Sequence, residues 1–167
     1  MYKVSDQVLY GIHGICNIIA MEERKVDKQK KMFFVLEPVD HPGARFYIPA
    51  QNQAAMAKLR KLMTAQELDA LLHSDAVRED CWIADESRRK LYYRDLINSG
   101  DRAALLSMVG SLHRHKAAQA AAGRKFHLCD ENFLRDAEKL LSAEFSLVLK
   151  MDPKDVGTYI KESLQAE

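Results

Sequence analysis

The sequence predicts an α+β protein, with a small, strongly bent β-sheet or barrel at the N-terminus and an all-α segment after it. Two observations carry this. Short apolar runs separated by turn residues fill the first fifty positions, whereas from Gln51 onward apolar residues recur at helical spacing behind recognisable caps. The chain of 167 residues has room for two small domains, which we place at residues 1–57 and 58–167.

Taken in order, Gln7–Tyr10 reads as a first strand, turned by Gly11 to Gly14, and Ile15–Met21 as a second. Glu22–Lys31 reads as a charged hairpin tip. Met32–Leu36 is the third strand, closed by Pro38 and His41-Pro42-Gly43, and Arg45–Ile48 is the fourth, stopped by Pro49. No later strand is expected. Thr64-Ala65-Gln66-Glu67 is a capping box, opening a helix with Leu68, Leu71 and Leu72 at core spacing. Asn98-Ser99-Gly100-Asp101 ends one helix and caps the next, whose apolar stripe is Leu105, Leu106, Val109 and Leu112. Gly123 interrupts an alanine-rich run. Asp130 is expected to cap a helix with Phe133, Leu134, Ala137, Leu140 and Leu141 on one face. Asp152-Pro153 starts the last helix, with proline at its favoured first position.

Composition excludes several function classes. No apolar run approaches the ~20 residues of a membrane span, and Met1–Asp6 lacks the apolar core of a signal peptide, so a cytoplasmic protein is expected. Cys16, Cys81 and Cys129 are odd in number and widely spaced, against a disulfide framework; Cys81 and Cys129 read as small buried apolar side chains. His113 and His115 lie two apart, on different sides of a helix, and no spaced ligand set completes a metal site. No phosphate loop or nucleophile elbow is present, and the adjacent acids Glu22-Glu23 and Asp85-Glu86 read as solvated faces. The expectation is a non-enzymatic protein with no metal, no cofactor, no membrane contact and no small-molecule substrate.

Charge is informative only by its distribution. Residues 1–81 hold 11 basic and 11 acidic side chains, residues 82–127 hold 9 against 4, and residues 128–167 hold 5 against 9. A basic centre fits either a face that meets a polyanion or a solvated helix surface. Arg88, Arg89, Lys90 and Arg94 fall on an expected helix, along one phosphate track, with Leu91 and Leu96 facing inward. Arg102, His113, Arg114, His115, Lys116, Arg124 and Lys125 extend the positive field. With no Asn or Gln placed to read bases, contact would be phosphate-led and weakly sequence-specific. Trp82, the single tryptophan, abuts this block and reads either as a packing anchor or as an apolar wedge for a DNA minor groove or melted edge.

The ordered set of motifs resembles the CarD/CdnL family of bacterial transcription regulators. Tyr2-Lys3-Val4-Ser5-Asp6-Gln7-Val8-Leu9-Tyr10 followed by His13-Gly14 is similar to the family opening. Phe33–Leu36 and Ile48-Pro49-Ala50-Gln51-Asn52 are similar to its third strand and closing segment, and Ser87-Arg88-Arg89 and Ser99-Gly100-Asp101 to landmarks of its helical half. The resemblance implies a Tudor-like N-terminal domain docked on the β subunit of bacterial RNA polymerase, and a helical domain touching promoter DNA at the upstream edge of the transcription bubble. The implied polymerase contacts are Arg24, Lys25, Tyr47 and Pro49. The implied DNA contacts are Trp82, Arg88, Arg89, Lys90, Arg94, Arg114 and Lys116. Two positions depart from the family pattern. Tyr47 stands where a contact arginine is usual, and Glu86 stands where the wedge tryptophan usually precedes Ser-Arg-Arg, with Trp82 on the same face if the helix is continuous.

Overall fold

The structure is a computed structural model that describes residues 1–165, in two compact units divided between Leu62 and Met63.

The N-terminal unit is a five-stranded antiparallel sheet of order β4-β3-β2-β1-β5, built from β1 (Gln7–Tyr10), β2 (Ile15–Val26), β3 (Gln29–Pro38), β4 (Phe46–Pro49) and β5 (Leu59–Lys61). The short helix α1 (Gln53–Met56), capped by the Asn52 side chain, precedes β5. Two expectations need correction. Glu22–Lys31 is not a loop: β2 and β3 continue through it as paired strands, and only Asp27 and Lys28 turn. Both have positive φ, 50° and 65°, the two-residue geometry that matches strand twist. Charged residues remain in strand here because the hairpin arm is solvated, so no apolar alternation marks it. The second correction is β5, three residues with one buried side chain, Leu59, too short to carry a pattern. It pairs with β1 and returns the chain to the sheet. A bulge at Ile19, between the Ile18 and Ala20 pairings, bends β2 and swaps the faces its side chains reach. Val8, Cys16, Ile18, Phe34, Leu36, Ile48 and Leu59 form the core of this unit.

The C-terminal unit is helical: α2 (Ala65–Leu72), a 3-10 turn at Asp75–Arg78, α3 (Glu86–Ser99), α4 (Arg102–Ala121), α5 (Leu128–Leu149) and α6 (Pro153–Gln165). Thr64 and Glu67 make the reciprocal capping box, Gly100 ends α3 in the left-handed region at φ 64°, and Asp101 caps α4. Every residue from Leu105 to Leu112 is buried, because α4 runs through the centre and is covered by α3, α5, α6 and the 3-10 turn. Asp130 is not a cap: α5 begins at Leu128 behind His127, and Asp130 is buried in its first turn. Leu91 does not face inward. It is 62% exposed, and the inward α3 positions are Arg89 and Tyr93, with Leu96 packed beside them. Cys81 and Cys129 are only partly buried; Cys16 is the buried thiol. No described helix is long and apolar enough to cross a membrane.

Two outcomes follow. Leu106→Ala, at a 0% exposed site, is expected to cost ~2–5 kcal/mol in denaturant unfolding, while Leu91→Ala costs less than ~0.5 kcal/mol. Burial pushes the Cys16 thiol up to about 11, so under native conditions near neutral pH Cys16 stays unmodified by iodoacetamide and becomes reactive on unfolding.

Candidate functional site

The N-terminal surface is set by strand register. Residues paired across an antiparallel ladder share a face, so the rows Ala20–Val35–Tyr47 and Glu22–Phe33–Pro49, together with Arg24–Lys31, lie on one side of the sheet. Three of the four expected docking residues, Arg24, Tyr47 and Pro49, therefore come together. The Arg24 guanidinium carbon sits 3.7 Å from the Tyr47 ring centroid, a cation–π contact, and its Nε donates to Glu22 Oε2 at 3.2 Å. Tyr47 thus orients Arg24 at the surface. Lys25, the next residue on the strand, points to the opposite face beside Lys30.

The helical surface centres on Trp82. The segment from Glu79 to Ala84 is extended over α3 and α4, not helical, so Trp82 and Glu86 do not share a helix face. Hydrogen bonds hold the segment: the Cys81 amide donates to Ser111 Oγ at 2.9 Å, the Tyr93 hydroxyl donates to the Cys81 carbonyl at 3.4 Å, and the Ser107 hydroxyl donates to the Glu79 carbonyl at 2.7 Å. The indole stacks on the His115 ring at 3.5 Å between centroids and 17° between planes, and the Arg89 guanidinium carbon lies 4.2 Å from it. Two groups this close cannot share one face of the ring. They clamp it from both sides and leave its edge as the free surface. Trp82 is half-buried, packed against the core, and combines the anchor with an accessible edge.

Arg89 is a correction. It was expected on the phosphate track, yet it is 3% exposed and forms a two-point ion pair with Asp130, itself 0% exposed, through Nε–Oδ1 at 2.9 Å and Nη2–Oδ2 at 3.0 Å. Its Nη1 donates to the carbonyls of Ile83 and Ala84. The guanidinium thereby fixes the backbone next to Trp82. The signal for this was legible: Asp130 shares the stripe of Leu134, Ala137 and Leu141, and an acid on an apolar stripe needs a buried cation. Glu144, on the same stripe, likewise accepts from the Met63 amide at 2.7 Å and pairs with Arg102 at 2.7 Å.

The remaining expected cations are at the surface but not equivalent. Lys90 pairs with Glu86 at 2.8 Å, Lys116 with Glu131 at 3.0 Å, and Arg114 approaches Asp80 at 3.6 Å. Arg88 and Arg94 are exposed on α3 and make no ion pair among the described residues. His113 turns away to Glu138 at 2.7 Å. Among the described residues no group of three His, Cys, Asp or Glu side chains is placed to hold a metal.

Arg89→Ala leaves Asp130 as an unpaired buried charge and is expected to destabilise by ~3–5 kcal/mol, whereas Arg88→Ala at the neighbouring surface position changes unfolding by less than ~0.5 kcal/mol. His115 gives a pH dependence. Burial beneath Trp82, aided by Arg89, holds its imidazole below the ordinary 6.5. As pH falls the unfolded chain takes the proton first, so this contribution to stability is complete above about 6.5 and is lost as pH falls through the folded value. The midpoint of chemical unfolding should drop over that window, and the His115-dependent part of the drop should vanish in His115→Gln.

The sequence of the N-terminal unit matches a known domain family. Residues 2–63 match the family model of the CarD-like/TRCF RID domain. That span coincides closely with the compact unit ending at Leu62. Residues 2–63 are therefore similar to the CarD-like RNA polymerase-interacting domains, which are protein-interaction modules, and the match supports a transcription-related role.

Proposed function

We propose that the chain is a transcription regulator that holds the β subunit of RNA polymerase with its N-terminal sheet and modulates open-complex stability through promoter DNA near the upstream edge of the bubble. The observation that carries this is the match of residues 2–63 to a polymerase-interacting domain. In this reading the Arg24–Tyr47 stack is the docking anchor: the ring holds the guanidinium in place, and a carboxylate of the partner replaces exposed Glu22. Pro49 packs beside it, and Lys25 contributes long-range attraction from the other face. The nucleoid location of the protein follows from the polymerase.

On the helical unit Arg88 and Arg94 are the first phosphate contacts, and Trp82 presents its clamped edge to the groove or fork. Lys90, Arg114 and Lys116 join them by exchanging an exposed acid for a phosphate, which costs little because exposed ion pairs are worth ~0–1 kcal/mol. Arg89 supports the surface from below. DNA bound better in the melted state shifts promoters toward opening in proportion to that difference.

The pairing of three of these cations with Glu86, Asp80 and Glu131 favours a second reading, an adaptor on polymerase with little productive DNA contact. Fluorescence anisotropy on a forked duplex separates the two. A DNA-contacting protein loses affinity steeply with salt, and Arg88→Glu with Arg94→Glu lowers the slope by about one contact for each arginine. An adaptor shows no such binding. Arg24→Glu should weaken retention on polymerase without loss of fold; undiminished retention removes Arg24 from the interface. Trp82→Ala should retain polymerase binding and reduce promoter opening, measured as permanganate reactivity of the melted strand.

A further inference from the structure

We propose that a groove on the helical unit is a docking site for an arginine side chain presented by a protein partner. The groove has a volume of about 320 Å³ and lies between α3, α4 and the segment that carries Trp82. Tyr92 and Leu96 form one wall, Ala104 and Ser107 the other, and Glu79 and Asp80 stand at the rim. It exists because α4 presents small side chains here, Ala103, Ala104 and Ser107, where a larger residue would fill the space.

Three features select the occupant. The first is charge. Glu79 and Asp80 are exposed, and the Glu79 carboxylate makes no hydrogen bond or ion pair among the described residues. Its backbone is nonetheless fixed over the groove by the Ser107 hydroxyl. The Glu79 carboxylate disfavours phosphate inside the groove, which lies just before the basic stretch 82–127. The second is the aromatic wall. Tyr92 is 40% exposed, while its neighbour Tyr93 is fully buried, so its ring is available to a planar cation. The third is size: the volume sits at the small end of ligand pockets and accepts one side chain better than a cofactor. An arginine meets all three. Its methylenes lie on Leu96 and Ala104, its guanidinium faces Tyr92, and its fork of donors pairs with Glu79. A lysine lacks the planar fork, and a neutral apolar plug would desolvate the carboxylates without pairing them.

The inference is independent of polymerase docking. It is tested with isotope-labelled full-length protein titrated with Nα-acetyl-arginine amide, following NMR shifts of Ala104, Ser107 and Tyr92. Saturable shifts confined to the groove are expected, with Nα-acetyl-lysine amide weaker and Nα-acetyl-glutamine amide without effect. Tyr92→Ala should weaken binding about fivefold, and Glu79→Gln should weaken arginine while leaving the spectrum otherwise intact. No saturable shift in the native protein, or an affinity unchanged in Glu79→Gln, would overturn the proposal. Shifts of the same residues on simple dilution of the protein would identify a second copy of this chain as the occupant and overturn a foreign partner.

Discussion

The Arg89–Asp130 pair is the constraint on which the helical unit depends. Burying two opposite charges costs several kcal/mol per ion unless geometry and hydrogen bonding offset it. Here both carboxylate oxygens are used, and the guanidinium's remaining fork holds the carbonyls of Ile83 and Ala84. Asp130 also sits in the first turn of α5, where the helix dipole favours a carboxylate. One interaction therefore ties α3 to α5, fixes the extended segment between the 3-10 turn and α3, and places a cation against the Trp82 ring. The surface properties of the unit are consequences of this buried pair. His115 completes the arrangement from the other face of the indole, which makes Trp82 a rigid edge and not a swinging side chain.

The N-terminal sheet uses a lighter version of the same device. A guanidinium is again laid on an aromatic ring, but at the surface, where it pairs with Glu22, itself exposed. The buried pair is committed to structure, while the exposed one is exchangeable, and only the second kind can serve a partner. The bulge at Ile19 contributes by shifting the faces of β2, so that Arg24 emerges on the same side as Tyr47 and Pro49.

Much of the fold was legible in residue patterns. The capping box at Thr64, the Gly100–Asp101 break and the proline start of α6 are local devices whose chemistry is written in adjacent residues. The solvated arm of the β2–β3 hairpin and the three residues of β5 were not legible, because pairing with a distant strand, not apolar alternation, makes them strands. The motif around Ser87 does fall on a helix, α3, but residue type alone does not show which of its arginines is buried. Arg88 and Arg89 are identical in charge and adjacent in sequence, and only the helical phase against a partner 41 residues away sends one to solvent and the other inside. The acid on the α5 stripe was the available clue. The Arg24–Tyr47 contact had no local signal, since the two residues meet across β3.

The most direct test of the account compares retention on purified bacterial RNA polymerase of the full chain and of residues 63–167, the unit that has its own apolar core. Retention of the full chain with loss in the helical unit alone is the predicted result. Equal retention of both would place the polymerase contact in the helices and contradict the assignment of docking to the N-terminal sheet.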